Sequence, residues 1–233
     1  MKSTAADIVN DFVSLFFPNT CAGCDEALVK GESMICTKCI IEMPRANYHL
    51  DPNNAFYQKL RGRVPVQFVM SFLKFSKSGR VQKILHELKY RNKPALGQKL
   101  GSVFGAELVR TGYKDKFDLI VPVPLHRVKK ANRGYNQSEE FGKGLAEMLE
   151  IPCSDEVVER ISQTATQTTK SRLSRWDNVK DVFAISDASA INGKRVLLVD
   201  DVVTTGATLE AVCSSLFNNG TTAVSIACIA AAQ

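Results

Sequence analysis

The sequence predicts an α/β protein: a parallel sheet flanked by helices, with a small N-terminal four-cysteine zinc-binding segment. Two observations carry this expectation. Strand-like and helix-like signals alternate through the last two-thirds of the chain, the order that builds a parallel sheet covered on both faces. Near the start, Cys21, Cys24, Cys36 and Cys39 stand as C-x2-C-x11-C-x2-C, a spacing in which two knuckles aim four thiolates at one centre.

Ile8, Val9, Phe12, Val13, Phe16 and Phe17 fall at helical spacing, interrupted by Asp7, Asn10 and Asp11, so an amphipathic helix is expected there rather than a secretory leader. The cysteine segment follows. Four sulfur ligands close a tetrahedral set of the kind Zn2+ prefers, which makes the metal structural, and a redox pair or an iron–sulfur cluster fits the spacing less well. In a segment too short to bury much core, metal binding would supply the folding free energy. Residues 46–65 carry Pro, Asn and charge with little periodicity and read as a linker or irregular lobe between the cysteine segment, 1–45, and a larger domain, 66–233. With four cysteines in place, His49 reads as a surface or packing residue.

The run "VQFVMSFLKF", Val66 to Phe75, reads as a strand. Two helices follow around Pro94, with Ile84, Leu85 and Leu88 in one apolar stripe and Leu96, Leu100, Val103, Phe104 and Leu108 in the other. "FDLIVPVP" is a buried strand stopped by Pro122 and Pro124. A basic loop containing a glycine then leads into a helix through Phe141, Leu145 and Leu149. Residues 162–179 are polar and lack apolar periodicity, as a long loop would be. "VFAIS" and "KRVLLVDD" supply strands, "TGATLEAVCSSLFNNG" a helix ending at Gly220, and "AVSIACIA" a final strand.

Composition narrows the function classes. Thirty Lys and Arg against 24 Asp and Glu give a formal charge of +6, compatible with anionic ligands but no argument by itself for nucleic acid. No stretch approaches the roughly 20 uninterrupted apolar residues of a membrane span. Seven cysteines, four of them in two pairs, fit a metal site plus buried thiols better than a disulfide framework. A cytoplasmic protein is expected.

The chemistry concentrates in "VLLVDDVVTTGATLEA", Val196 to Ala211. In a parallel α/β sheet ligands bind beyond the carboxyl ends of the strands, which puts Asp200 and Asp201 at the binding edge. The Thr204-Thr205-Gly206 turn then enters a helix, aiming backbone N–H groups and hydroxyls at one point, an anion cradle suited to a phosphate monoester. The two carboxylates can accept hydrogen bonds from sugar hydroxyls or hold Mg2+. A solvated turn and helix cap is the alternative reading, weakened by the repulsion of adjacent acids and by the hydroxyl-rich glycine turn.

"VLLVDDVVTTGATL" closely resembles the 5-phosphoribosyl-1-pyrophosphate (PRPP) signature of type I phosphoribosyltransferases. Together with the double Cys-x-x-Cys, "LKY" at Leu88 to Tyr90, "VPVPLH" at Val121 to His126 and "RGYNQSE" at Arg133 to Glu139, the chain resembles the ComF family over nearly its whole length. The resemblance implies a type I phosphoribosyltransferase-like sheet. It implies that Asp200 and Asp201 bind the ribose hydroxyls, as the catalytic pair if the protein turns over, and that Thr204, Thr205, Gly206, Ala207 and Thr208 wrap the 5-phosphate. Pro124, Leu125, His126 and Arg127 would form the pyrophosphate loop, with Mg2+ and with Lys129, Lys130 and Arg133 as further cations. Lys170, Arg172 and Arg175 would belong to a flexible loop closing over the diphosphate.

Other readings stand beside these. Lys89, Tyr90 and Arg91 suit a helix C-terminus whatever the function, Asn136 suits a helix cap, and Cys153, Cys213 and Cys228 suit buried thiols. The resemblance implies two alternative functions. One is a PRPP-binding protein with a role in competence-related DNA uptake, handling single-stranded DNA beside a helicase-like partner; the runs "HRVKK" and "KSRLSR" can contact phosphates, but no aromatic residues are interleaved with them. The other is an active phosphoribosyltransferase, in which a nitrogen nucleophile displaces pyrophosphate.

Overall fold

The computed structural model describes residues 18–77, 79–161 and 182–232. The helix expected over residues 8–17 and the loop expected over 162–179 lie outside them. A four-stranded sheet in the order β1-β6-β5-β2 forms the centre, built from β1 (Val66–Phe75), β2 (Leu119–Pro122), β5 (Arg195–Val203) and β6 (Ala223–Ala232). Every pairing in it is parallel, as the alternating sequence pattern requires.

Side chains alternate across the sheet and so build two cores. Leu197 and Val199 of β5 and Ala227 and Ile229 of β6 face one core, and Val196, Leu198, Ile226 and Cys228 face the other. The first core is covered by α3 (Arg80–Tyr90), α4 (Pro94–Arg110) and α6 (Gln137–Leu149). Helices α4 and α6 cross with their backbones almost touching. A Cβ on Gly101 would sit 2.2 Å from the Phe141 carbonyl oxygen, and one on Gly144 would sit 2.1 Å from that of Gln98. The second core is covered by α2 (Ala55–Leu60), α7 (Ala207–Asn218) and a two-stranded antiparallel hairpin of β3 (Val158–Arg160) and β4 (Phe183–Ile185).

Three expectations change. Residues 46–65 hold a 3-10 turn at Tyr48–Leu50 and the helix α2, and Phe56, Leu60 and Val64 are core residues. A helix this short offers too few turns to show a period, but Asn54 caps it, accepting from the N–H groups of Phe56 and Tyr57. The basic stretch after β2 is likewise helical, as α5 (Arg127–Arg133), bracketed by a His126 cap and a left-handed Gly134. Finally, "VFAIS" pairs with Val158–Arg160 outside the parallel sheet. Apolar content marks a strand without naming its partner.

The cysteine segment joins the first core rather than standing apart. Cys21, Cys36 and Cys39 are buried with Ile84, Leu85 and Leu88 of α3. Ion pairs of Asp25 with Lys83 and of Glu42 with Arg80 fasten its edge to the same helix.

Candidate functional site

Four sulfurs meet first. Helix α1 (Thr37–Glu42) starts from Cys36, whose Sγ accepts from the Cys39 N–H at 3.4 Å. Cys21 Sγ accepts from the N–H groups of Gly23 and Cys36, each at 3.3 Å. Burial pushes the Cys21 thiol up, but these N–H groups and that of Cys24 outweigh it and bring it down to about 7. All four Sγ atoms lie within 4.8 Å of one another, and those of Cys24 and Cys36 are 3.8 Å apart. The donor set fits one thiophilic metal ion. In contrast, burial first of all pushes the thiols of Cys153, Cys213 and Cys228 up to about 12, so they behave as inert packing residues.

The second centre lies at the carboxyl edge of the sheet. Asp200 and Asp201 fall near the end of β5, and the adjacent β2 ends beside them, the Val123 N–H that follows it bonded to the Val199 carbonyl at 2.9 Å. The residues expected to form a pyrophosphate loop therefore emerge next to the acids. Pro124 and Leu125 line a cavity of about 310 Å3 that reaches Asn136, Lys130 and the β3–β4 hairpin. His126 is engaged as a helix cap, its Nδ1 accepting from the Val128 N–H. Arg127 opens α5. Lys170, Arg172 and Arg175 lie outside the described residues.

The two aspartates have different surroundings. Asp200 keeps some solvent-accessible surface, yet its carboxyl is closely surrounded by protein, and this desolvation raises it to about 7 with help from the neighbouring Asp201 charge. Opposing that rise, Asp200 Oδ1 accepts from the Asp201 N–H at 2.8 Å and from the Ser138 hydroxyl at 3.0 Å. Asp201 instead forms an ion pair with Lys89 Nζ at 2.7 Å.

Beyond them, Thr204 and Thr205 are exposed while Gly206 is buried at φ 80°. That left-handed residue turns the chain into α7, whose first-turn amides have no partner within the helix. A Cβ on Gly206 would sit 2.9 Å from Leu60 Cδ2, so α2 packs directly against the turn. Arg63 reinforces it, donating to the Thr205 carbonyl at 3.3 Å and pairing with Glu210.

Sequence reading missed Lys89, Ser138 and Arg63. Lys89 suits its helix terminus on sequence grounds alone, although "LKY" and "RGYNQSE" are both conspicuous motifs. Arg63 lies in a stretch with no local signal. Asn136 does cap α6, accepting from the Ser138 N–H at 3.1 Å, and its amide donates to the Val123 carbonyl at 2.9 Å. One side chain thus ties the strand end to the helix that delivers Ser138.

A model of the phosphoribosyl transferase domain matches residues 134–233, a stretch that holds Ser138, both aspartates and the Thr-Thr-Gly turn. Fold and site together define a phosphoribosyltransferase-type domain carrying a four-cysteine segment. Among curated relatives, the DNA utilization protein YhgH of Escherichia coli is 29% identical over 90% of this chain and 88% of its own length. Competence protein F of Haemophilus influenzae is 38% identical over 40% of this chain and 41% of its own. Competence protein ComFC of Bacillus subtilis is 23% identical over 83% of this chain and 82% of its own. The chain is similar to these DNA utilization and competence proteins over most of its length.

Proposed function

We propose that the protein binds PRPP and acts in the competence-related handling of single-stranded DNA in the cytoplasm, beside a helicase-like partner. The observation that carries the PRPP reading is the placement of Asp200 and Asp201 directly before a left-handed Gly206 and the amide-rich start of α7. In this reading the two carboxylates accept the 2′ and 3′ hydroxyls, and Thr204 to Thr208 wrap the 5-phosphate. The loop from Pro124 to Arg127 faces the diphosphate. Mg2+, when bound, supplies charge neutralisation for that diphosphate. Lys89 orients Asp201 through their ion pair, while Ser138 orients Asp200. Similarity to DNA utilization and competence proteins supports the DNA part.

The cysteine cluster holds structural Zn2+. A tetrahedron of thiolates about 2.3 Å from zinc has edges of about 3.8 Å, matching the separation of Cys24 and Cys36. Four protein ligands leave no open position, so the ion stabilises and does not react.

Calorimetric titration with PRPP and MgCl2 tests the pocket. Binding by the native protein and its loss in Asp200→Asn/Asp201→Asn are expected, and no heat at millimolar PRPP would sink the assignment. Release of pyrophosphate when ammonia or a base nitrogen is added would replace binding by phosphoribosyl transfer.

A further inference from the structure

Beside the aspartate pair, the end of α3 and one side of α5 enclose a groove of about 350 Å3 lined by Lys89, Tyr90, Asn92, Lys129, Asn132 and Arg133. Its chemistry is one-sided. Three cations and two amides line it, and no carboxylate does among the described residues. Tyr90 lines it and is 64% exposed, which leaves its ring open to a ligand. The Arg133 guanidinium lies over the Tyr90 ring, 5.5 Å from its centroid, and is itself steadied by Gln137 Oε1 at 2.7 Å. The His86 ring also approaches Tyr90, with centroids 4.9 Å apart and the planes tilted by 45°. The sequence separates Tyr90 from the basic run by some forty residues; the fold brings aromatic and cations together.

We infer that this groove is a docking surface for an unpaired DNA strand, with a base on Tyr90 and its phosphates on Lys129 and Arg133. An exposed aromatic ring flanked by cations is the combination that holds single strands, because stacking needs a base released from its pair and the backbone needs positive charge. Asn92 and Asn132 can exchange hydrogen bonds with a base edge. The volume is at the small end for ligand sites, enough for about one nucleotide at a time and too little for a duplex. Lys89 lies in the groove while its Nζ contacts Asp201, so the strand passes the mouth of the ribose pocket. This inference rests on the DNA-handling part of the proposed function and does not require that the aspartates bind PRPP.

The test is fluorescence anisotropy with a labelled single-stranded oligonucleotide over a salt series, using the full chain. Tyr90→Ala is expected to weaken binding about tenfold, Tyr90→Phe to retain it, and Lys129→Ala to lower the salt slope by about 0.7. Tyr90→Ala and Asn132→Ala should keep native melting temperatures and native PRPP titrations. The Asp200→Asn/Asp201→Asn protein should lose PRPP and bind the strand as before, which keeps failure of the two readings distinguishable. The inference is overturned if Tyr90→Ala and Lys129→Ala both bind within twofold of the native protein. Equal competition by duplex DNA, or by a nucleoside monophosphate at the same nucleotide concentration, also overturns it.

Discussion

The cysteine cluster and the aspartate pocket are built on opposite plans. All four sulfurs come from within 19 consecutive residues, and two local knuckles suffice to bring them together. The pocket draws Arg63, Lys89, Ser138 and the two aspartates from separate parts of the chain, and none can be placed until the sheet and its two cores exist. A site closed by local geometry depends on its ligand for stability, whereas a site assembled across a core depends on packing far from its chemistry. Helix α3 joins the two, carrying the cysteine segment on its first turns and presenting Lys89 from its last.

The largest expected effect breaks the local site. Cys36→Ser, or metal stripped by a chelator, removes one corner of the set and with it the folding free energy the ion supplies, which for such segments is many kcal/mol. Residues 18–45 should lose amide-exchange protection, and the melting temperature should fall by about 10 °C or more. If α3 depends on that contact, PRPP affinity falls as well; unchanged affinity would show that α3 stands without it.

Gly101→Ala attacks the distributed site from a distance. Its Cβ would lie 2.2 Å from the Phe141 carbonyl oxygen, so α4 and α6 must separate, at a cost of about 1–3 kcal/mol or more. Because α6 delivers Ser138 to Asp200, PRPP binding should weaken beyond what the loss of stability explains. Denaturant melts and titrations on the same preparation check both effects.

A smaller effect comes from Asp200. Its carboxyl is raised to about 7, by burial first and then by Asp201, whereas an unfolded aspartate titrates near about 4. Its contribution to the stability of the ligand-free protein is therefore complete below about pH 4 and is lost as pH rises through about 7. Asp200→Asn should flatten the stability profile in that window and melt a few degrees higher at alkaline pH, while losing PRPP. Lys89→Met should move the native profile upward in pH, since the Lys89 charge lowers the Asp200 value.

The smallest effect lies away from the pocket, at the amino end of β5, where Arg195 grips Asp118 through Nη2–Oδ1 at 2.6 Å and Nε–Oδ2 at 3.0 Å. The Arg195 side chain leads the causes that hold Asp118 down at about 2. That stabilisation is present above about pH 4 and is lost as pH falls through about 2. The pair is partly exposed, so Asp118→Asn should cost about 1 kcal/mol or less at neutral pH and leave PRPP binding unchanged. A change in PRPP affinity would mean that strain at one end of β5 reaches the other.

Local order in the chain determined the four sulfur ligands, the parallel sheet and the acidic strand end with its glycine turn. Each is legible from residue spacing or from a period of two or 3.6 residues, before any distant partner is named. Only the tertiary structure decided that Lys89 serves Asp201 rather than a helix dipole alone. The same holds for the position of α2 over Gly206 and for the meeting of Tyr90 with Arg133. Those outcomes depend on how closely helices approach, and the approach of α4 to α6 is set by the absence of a Cβ at Gly101 and Gly144, which no apolar periodicity records.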